Sequence, residues 1–247
     1  MKYNYKAISI RIAEGIAFVK LNSPVNRKPV SFDMKRELAD LLDKVQRDER
    51  VRVILVTGHG RVFFVGSDLR LDDYDHEDPW RRTSVRHVDL TTIIRSMTKP
   101  IIAVVNGYAI GAGMALALAC DMVIATDDAL FCEVVRGNPR TGAREGAVYY
   151  LPQIYRDKVN ASLSAWYTEQ VGDPGYISCR ITADEAVRAG MISKAVERAD
   201  LEYEALLLSR SLASGMAVSM AFVRRMQERA IWDFSVDMTN SDGGQRA

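Results

Sequence analysis

Residues Val104–Leu116 read VVNGYAIGAGMAL and carry three glycines within seven positions. The apolar run Ile101–Val105 before the glycines predicts a buried strand, and the small residues Met114–Cys120 after them predict a helix. The first N–H groups of a helix lack intrahelical partners, and the helix dipole adds partial positive charge at that end. Glycine lets a ligand come close to such groups. The segment therefore predicts a site for an anion or an oxyanion, with a tight, closely packed turn as the structural alternative.

Two common glycine-rich signatures do not match this segment. A dinucleotide-binding turn needs a third glycine where Leu116 stands, after Gly111 and Gly113. A phosphate-binding loop needs Gly-Lys-Ser/Thr, and the sequence has no lysine between Lys99 and Lys158. Both signatures are therefore absent from the segment.

Composition narrows the class of protein. The 247 residues are enough for one large domain, or for one domain with a small appendage, and a net charge of +1 does not indicate a nucleic-acid partner. The three cysteines and three histidines show no metal-ligand spacing, which predicts a reducing compartment and no zinc site. The N-terminus does not resemble a signal peptide, and the longest apolar stretch, Ala109–Ala119, is too short to span a bilayer. We therefore expect a cytoplasmic protein without a membrane or nucleic-acid partner.

Strand and helix patterns alternate along the chain as far as Tyr155, which indicates an α/β body with a parallel sheet. After Tyr155 the strand patterns nearly vanish, and helices are predicted instead, beginning at a capping box over 182–185. We expect an α/β core over 1–195 and a helical C-terminal region over 196–247. The predicted strands are Ile8–Ile12, Ile16–Leu21 (forming a hairpin with the first), Val51–Thr57, Ile101–Val105 and Met122–Ala125. The predicted helices are 34–45 with Ser31 as its N-cap, 84–97, 114–120, a short helix from 182 that Gly190 ends, Leu201–Leu212 and Met216–Ile231.

A second glycine-containing peptide, Phe63–Leu69 with sequence FFVGSDL, precedes the first. Together with Asn106–Asp121 it resembles the crotonase (enoyl-CoA hydratase/isomerase) superfamily. In that superfamily the loops read roughly Phe-x-x-Gly-x-Asp-Leu and Asn-Gly-x-x-x-Gly-x-Gly, and a helix and Cys-Asp follow. The resemblance covers roughly residues 8–230 and implies a crotonase-like ββα spiral core with a helical C-terminal region, shorter here than in the family. It extends to Leu21–Pro24, Lys99–Ala103 and Ile181–Val196.

The resemblance implies a chemistry for the glycine segment. Crotonases bind acyl-CoA thioesters, and two backbone N–H groups hold the thioester oxygen. Matched residue by residue, these donors are the N–H groups of Ser67 and Ala112. Such donors stabilise the charge that develops on an enolate oxygen. No separate cofactor is implied, because coenzyme A is part of the substrate.

The resemblance also implies where coenzyme A binds and how the chain assembles. The adenine site is carried over chiefly to backbone groups, although Lys28-Pro29 departs from the Asn-Ala usual in the family. A helix N-terminal or turn residue is the simpler interpretation of Asp68. Family members are typically trimers or pairs of trimers, so we expect a homotrimer or a dimer of trimers. The implied coenzyme A residues are Arg27, Lys28, Val30, Asp68 and Leu69.

The expected hydratase acids are missing. Hydratases of the family use two glutamates, and the matching positions here hold Ala115 and Val135. Glu133 lies two residues before the second position and would reach the site if the loop is shifted. A surface carboxylate paired with Arg136 is the alternative interpretation of Glu133. Cys132 is expected to be a small buried residue rather than a nucleophile.

Glu145 offers a different route for the proton. Its surroundings resemble the segment of Δ3,Δ2-enoyl-CoA isomerases whose single glutamate moves a proton between C2 and C4. Arg140 and Arg144 flank Glu145, and a salt-bridged helix-cap glutamate is the alternative interpretation. The sequence thus favours double-bond isomerisation of an enoyl-CoA. Hydration, decarboxylation, thioester hydrolysis, C–C cleavage and an inactive acyl-CoA-binding protein remain the alternatives.

Overall fold

The computed structural model describes residues 3–22, 32–65, 90–136 and 176–215 of the chain. Ten strands and five helices lie within these ranges, which confirms the predicted α/β class. The strands are β1 (Ile8–Ala13), β2 (Ile16–Leu21), β3 (Val53–Thr57), β4 (Val62–Val65), β5 (Ile101–Val105), β6 (Tyr108–Ile110), β7 (Met122–Thr126), β8 (Leu130–Arg136), β9 (Tyr176–Thr182) and β10 (Lys194–Val196). The helices are α1 (Phe32–Arg47), α2 (Leu90–Ser96), α3 (Ala112–Ala119), α4 (Ala183–Arg188) and α5 (Leu201–Ala213).

The first sheet has six strands in the order β1-β2-β3-β5-β7-β10. The predicted hairpin is confirmed, since β1 and β2 pair antiparallel, and the other neighbours in this sheet pair parallel. Strand β5 is apolar throughout because it is buried on both faces. Ile101 and Ala103 belong to the apolar cluster that includes α1 and α3, whereas Ile102 and Val104 belong to the cluster that includes α5.

The second sheet has four strands in the order β4-β6-β8-β9. The first three are parallel, and β9 pairs antiparallel with β8. Three tight turns carry the chain from the first sheet to the second: residues 58–61 lead from β3 to β4, 106–107 from β5 to β6, and 127–129 from β7 to β8. We call these three segments the crossover turns. They keep neighbouring strands of one sheet next to neighbouring strands of the other.

The helices follow the sequence pattern closely where the structure describes them. The stripe predicted for α1 is buried, with Met34, Leu38, Leu41, Leu42 and Val45 each at most 1% exposed. Its predicted N-cap, Ser31, lies outside the described residues. The capping box of α4 is confirmed, because Thr182 Oγ1 accepts from Glu185 N at 3.3 Å and Glu185 Oε2 accepts from Thr182 N at 2.8 Å.

Three expectations about the elements need correction. The glycine segment contains a short strand, β6, and the following helix begins at Ala112 rather than Met114. The prediction that strands nearly vanish after Tyr155 is wrong, because β9 completes the second sheet and β10 completes the first. Short strands such as β10 have too few residues to show a periodic pattern, so only pairing reveals them. The division of the chain at residue 195 stays a prediction, and the predicted helix from Met216 lies outside the described residues.

Candidate active site

Helix α3 begins in the glycine segment without a side-chain cap. Gly111 is its N-cap with φ 55° and ψ −115°, a conformation that favours glycine. The Ala115 N–H donates to Gly111 O at 3.0 Å and makes the first bond of the helix. Within the described part of the chain no hydrogen bond from the Ala112 N–H is found. The start of α3 therefore presents backbone donors at the positive end of a helix.

The end of strand β4 lies against this helix start. A Cβ atom on Gly113 would stand 1.8 Å from the main-chain oxygen of Phe64, so only glycine allows the two backbones to approach this closely. Strands β4 and β6 are parallel, and Val65 pairs with Ile110. In sequence Ser67 follows Val65 by two residues, as Ala112 follows Ile110. The register thus brings the strand that leads to Ser67 beside the strand that leads to Ala112.

Strand β8 lies on the other side of β6. Ile110 pairs with Cys132, and the Gly111 N–H donates to Cys132 O at 2.8 Å. Cys132 is 6% exposed, which confirms the prediction of a small buried residue. The backbone of Glu133 follows at once and pairs with Cys179 of β9. Glu133 therefore belongs to the strand that anchors the N-cap of α3.

The interior of α3 holds no proton-transferring side chain. The whole helix is buried, and Ala115, at the position of the first expected hydratase glutamate, is 0% exposed. A helix that is apolar on every side belongs to a protein core. Helix α3 therefore belongs to the core, and residue 115 supplies no acid or base.

Asn106 fixes the turn that precedes β6. Its side chain is largely buried and bonds to the first crossover turn: Nδ2 donates to Gly60 O at 2.7 Å, and Oδ1 accepts from Gly58 N at 3.2 Å. Its main-chain oxygen accepts from Arg198 Nη1 at 2.8 Å. A hydrogen bond from Arg198 also lowers the pKa of Asp128, in the third crossover turn. No sequence motif pointed to Arg198, because 92 residues separate it from Asn106.

Two further motif residues serve the scaffold. Lys99 Nζ donates to Val45 O and Asp48 O, each at 2.7 Å, and so caps the C-terminal end of α1. Burial lowers the pKa of Lys99. Asp121 Oδ2 accepts from Ile101 N at 2.8 Å and links the starts of β5 and β7. These contacts explain the motif residues without a catalytic role.

Most of the predicted site residues cannot be compared with the structure. Ala112 lies at the start of α3 as described, and Glu133 is described through its backbone. The other predicted residues lie outside the described ranges: Arg27, Lys28, Val30, Ser67, Asp68, Leu69 and Glu145. Their roles therefore stay predictions.

The described ranges contain neither a metal-binding cluster nor a membrane-spanning helix. Groups of three or more histidine, cysteine, aspartate or glutamate side chains that suit a metal ion do not occur there. The helices found in those ranges also lack the length and hydrophobicity that crossing a membrane requires.

Comparison with known proteins gives consistent matches. Residues 11–236 match the family model described as enoyl-CoA hydratase/isomerase. A probable enoyl-CoA hydratase of Rhodobacter capsulatus is 32% identical over 226 residues, which cover 90% of this chain and 81% of that protein. The crystal structure of a probable enoyl-CoA hydratase/isomerase from Mycobacterium abscessus is 27% identical, with a TM-score of 0.69 over 92% of this chain and 83% of that chain. An enoyl-CoA hydratase structure from Bacillus anthracis shares the fold at 24% identity, with a TM-score of 0.70 over 96% of this chain and 89% of that chain.

Proposed function

Because this chain belongs to the enoyl-CoA hydratase/isomerase family, as the resemblance of its two glycine segments predicts, we propose that it binds an acyl-CoA thioester and stabilises its enolate. The donors are the backbone N–H groups of Ser67 and Ala112. The observation that carries this proposal is the buried start of α3, where the Ala112 N–H has no partner within the described ranges. The parallel register of Val65 with Ile110 supports Ser67 as the second donor.

The chemistry follows from where the charge develops. Removing a proton from the carbon next to a thioester places negative charge on the thioester oxygen. Backbone donors that are already in position stabilise this charge without reorganising, and each contributes about 3 kcal/mol. A helix N-terminus adds favourable dipole energy to the same oxygen.

We propose that Glu145 transfers the proton and that the reaction is double-bond isomerisation. A 3-enoyl-CoA loses a proton from C2 to the Glu145 carboxylate, and the dienolate regains that proton at C4 to give the conjugated 2-enoyl-CoA. One carboxylate is enough, since the group that accepts the proton also returns it. The buried methyl group of Ala115 supports this assignment over a two-glutamate hydratase. Glu133 is the second candidate for the base.

The remaining parts of the proposal concern coenzyme A and assembly. Arg27, Lys28 and Val30 bind the adenine region together with Asp68 and Leu69, mainly through backbone groups. No cofactor beyond the coenzyme A of the substrate is needed. The proposed assembly is a homotrimer or a dimer of trimers in the cytoplasm.

A second candidate function is an acyl-CoA-binding protein without catalysis. Ala115 and Val135 stand at both usual glutamate positions, and this observation favours the second candidate. Hydration and the other crotonase reactions use the same donors for the thioester oxygen, and Glu133 and Glu145 are the proposed proton-transferring groups for them as well.

A panel of 3-enoyl-CoA and 2-enoyl-CoA substrates tests the proposal through the absorbance of the conjugated thioester. Isomerisation of a 3-enoyl-CoA raises this absorbance, whereas hydration of a 2-enoyl-CoA lowers it. We expect Glu145→Gln to reduce turnover by about 10²- to 10⁴-fold, and Glu133→Gln, measured beside it, tests the second candidate base. Full activity in Glu145→Gln would remove Glu145 as the base. Binding of acyl-CoA without any turnover by the wild type would establish the second candidate.

A further inference from the structure

A cluster of charged side chains centred on Arg198 connects the three crossover turns. Arg198, in the turn that follows β10, donates from Nη1 to Asn106 O at 2.8 Å and from Nη2 to Asp128 Oδ1 at 2.6 Å. The other carboxylate oxygen of Asp128 forms an ion pair with Arg61 of the first crossover turn. Arg198 therefore contacts the second and third crossover turns directly and reaches the first through Asp128.

Backbone hydrogen bonds extend this cluster to strand β6. Tyr108 N donates to Arg61 O at 3.0 Å, and Leu130 N donates to Gly107 O at 3.2 Å. Strand β6 is only three residues long. A displacement of the turn at 106–107 therefore reaches Ala112 through few rotatable backbone bonds, which leaves little freedom to absorb it.

This cluster acts on the positions of the crossover turns through its hydrogen-bond geometry more than through its charge. The side chains of Arg198 and Asp128 are 40% and 37% exposed, and ion pairs at such exposure contribute little to stability. A planar guanidinium, however, donates in fixed directions, so it sets the separation of the two oxygens that it bonds. The ammonium group of lysine carries the same charge without this fixed geometry.

Building on the proposed function, we propose that Arg198 is a positioning residue for the oxyanion hole. It holds the crossover turns in one arrangement and thereby sets the relative position of β4 and β6, the strands that lead in sequence to Ser67 and Ala112. It touches neither the substrate nor the reacting atoms. Its loss lowers kcat because the donors then miss the position where charge develops, whereas KM, set largely by the coenzyme A portion, changes little.

A chromophoric aryl-enoyl-CoA tests the position of the donors directly. Its absorbance moves to longer wavelength when the conjugated thioester oxygen accepts strong hydrogen bonds. We expect the wild type to show this shift and both Arg198→Gln and Arg198→Lys to lose most of it. With the substrate that the wild type turns over, both variants should have a kcat about tenfold lower and a KM within about twofold of the wild type.

Arg210→Gln is the matched control. Arg210 also makes a two-bond ion pair on the exposed surface, with Glu14 at 2.8 and 3.2 Å, but this pair does not involve the crossover turns. We expect this variant to keep the full wavelength shift and kcat. An equal loss in Arg210→Gln would overturn the inference, because any surface ion pair would then have the same effect.

The outcomes separate the inference from the proposed function. A wild type that binds no acyl-CoA refutes the proposed function, and the inference fails with it. A wild type with the shift, together with unchanged shift and kcat in Arg198→Lys, overturns the positioning role alone, since charge is then sufficient. Urea unfolding shows whether each variant folds. If Arg198→Gln does not fold, the more conservative Arg198→Lys decides the question.

Discussion

Replacing Gly113 with alanine inserts a methyl group where helix α3 meets the backbone of strand β4. The added Cβ would stand 1.8 Å from the main-chain oxygen of Phe64 and 2.6 Å from its carbonyl carbon. Real Cβ atoms essentially never approach a heavy atom closer than 3.0 Å, so the helix start and the strand must separate by about 1.2 Å. The neighbouring atoms are backbone, which cannot turn aside as a flexible side chain does.

The expected change in the free energy of unfolding is the difference between a gain in helix propensity and a cost of overpacking. Alanine at an uncrowded helical position stabilises by up to about 1 kcal/mol relative to glycine. Overpacking of a buried position costs about 1–3 kcal/mol, and here the displaced group is backbone. We therefore expect a net loss of stability. The loss of kcat should be the larger effect, because a misplacement of about 1 Å lowers rates by about 100-fold.

Two measurements on Gly113→Ala check this reasoning. Urea unfolding gives the loss of stability, and steady-state turnover of the enoyl-CoA substrate gives kcat. Gly190→Ala is the control for a glycine substitution without a steric clash: an added Cβ there has no atom within 4 Å, and only its φ of +69° disfavours alanine. It should lose about 1–2 kcal/mol of stability and keep its kcat. A Gly113→Ala variant with the stability and kcat of the wild type would refute the close approach of α3 to β4.

Three further predictions concern the scaffold. Asn106→Ala removes two hydrogen bonds to the 58–60 turn and should cost about 1–3 kcal/mol for each buried group left unpaired, as measured by urea unfolding. Hydrogen bonds from Arg50 hold the pKa of Asp48 below its usual range, so this carboxylate stabilises the fold above its unfolded pKa of about 3.9. The unfolding free energy should therefore fall as the pH drops below that value, and Asp48→Asn should flatten the decline. Thr182→Ala breaks the capping box and should cost about 1 kcal/mol in a thermal or urea unfolding assay, with kcat unchanged.

Elements with a strong local pattern were predictable from the sequence. The apolar stripe of α1 recurs at helical spacing, and the capping box before α4 is a local exchange of hydrogen bonds between residues three apart. The hairpin of β1 and β2 shows in alternation broken by Gly15. Each of these signals lies within a short stretch of consecutive residues, so no knowledge of distant residues was needed.

The candidate site was predictable in part. The glycine segment indicated backbone donors at a helix start, and the structure places Ala112 there. The motif could not show that Gly113 serves the approach to Phe64, because that contact joins elements nearly fifty residues apart. Strands β4 and β6 were not predicted for a different reason: with only four and three residues they are too short to show a clear period.

The sequence alone predicted the chemistry of the segment, because glycines between an apolar run and small helical residues leave backbone N–H groups open to an oxygen. The sequence also shows that the first glutamate expected of a hydratase is absent, because the methyl group of Ala115 transfers no proton. Only the tertiary structure decided what surrounds the start of α3: two sheets joined by the crossover turns, with Arg198 bonded to Asn106 across 92 residues. Such a contact depends on how the strands pair in space, and that pairing leaves no periodic trace along the chain.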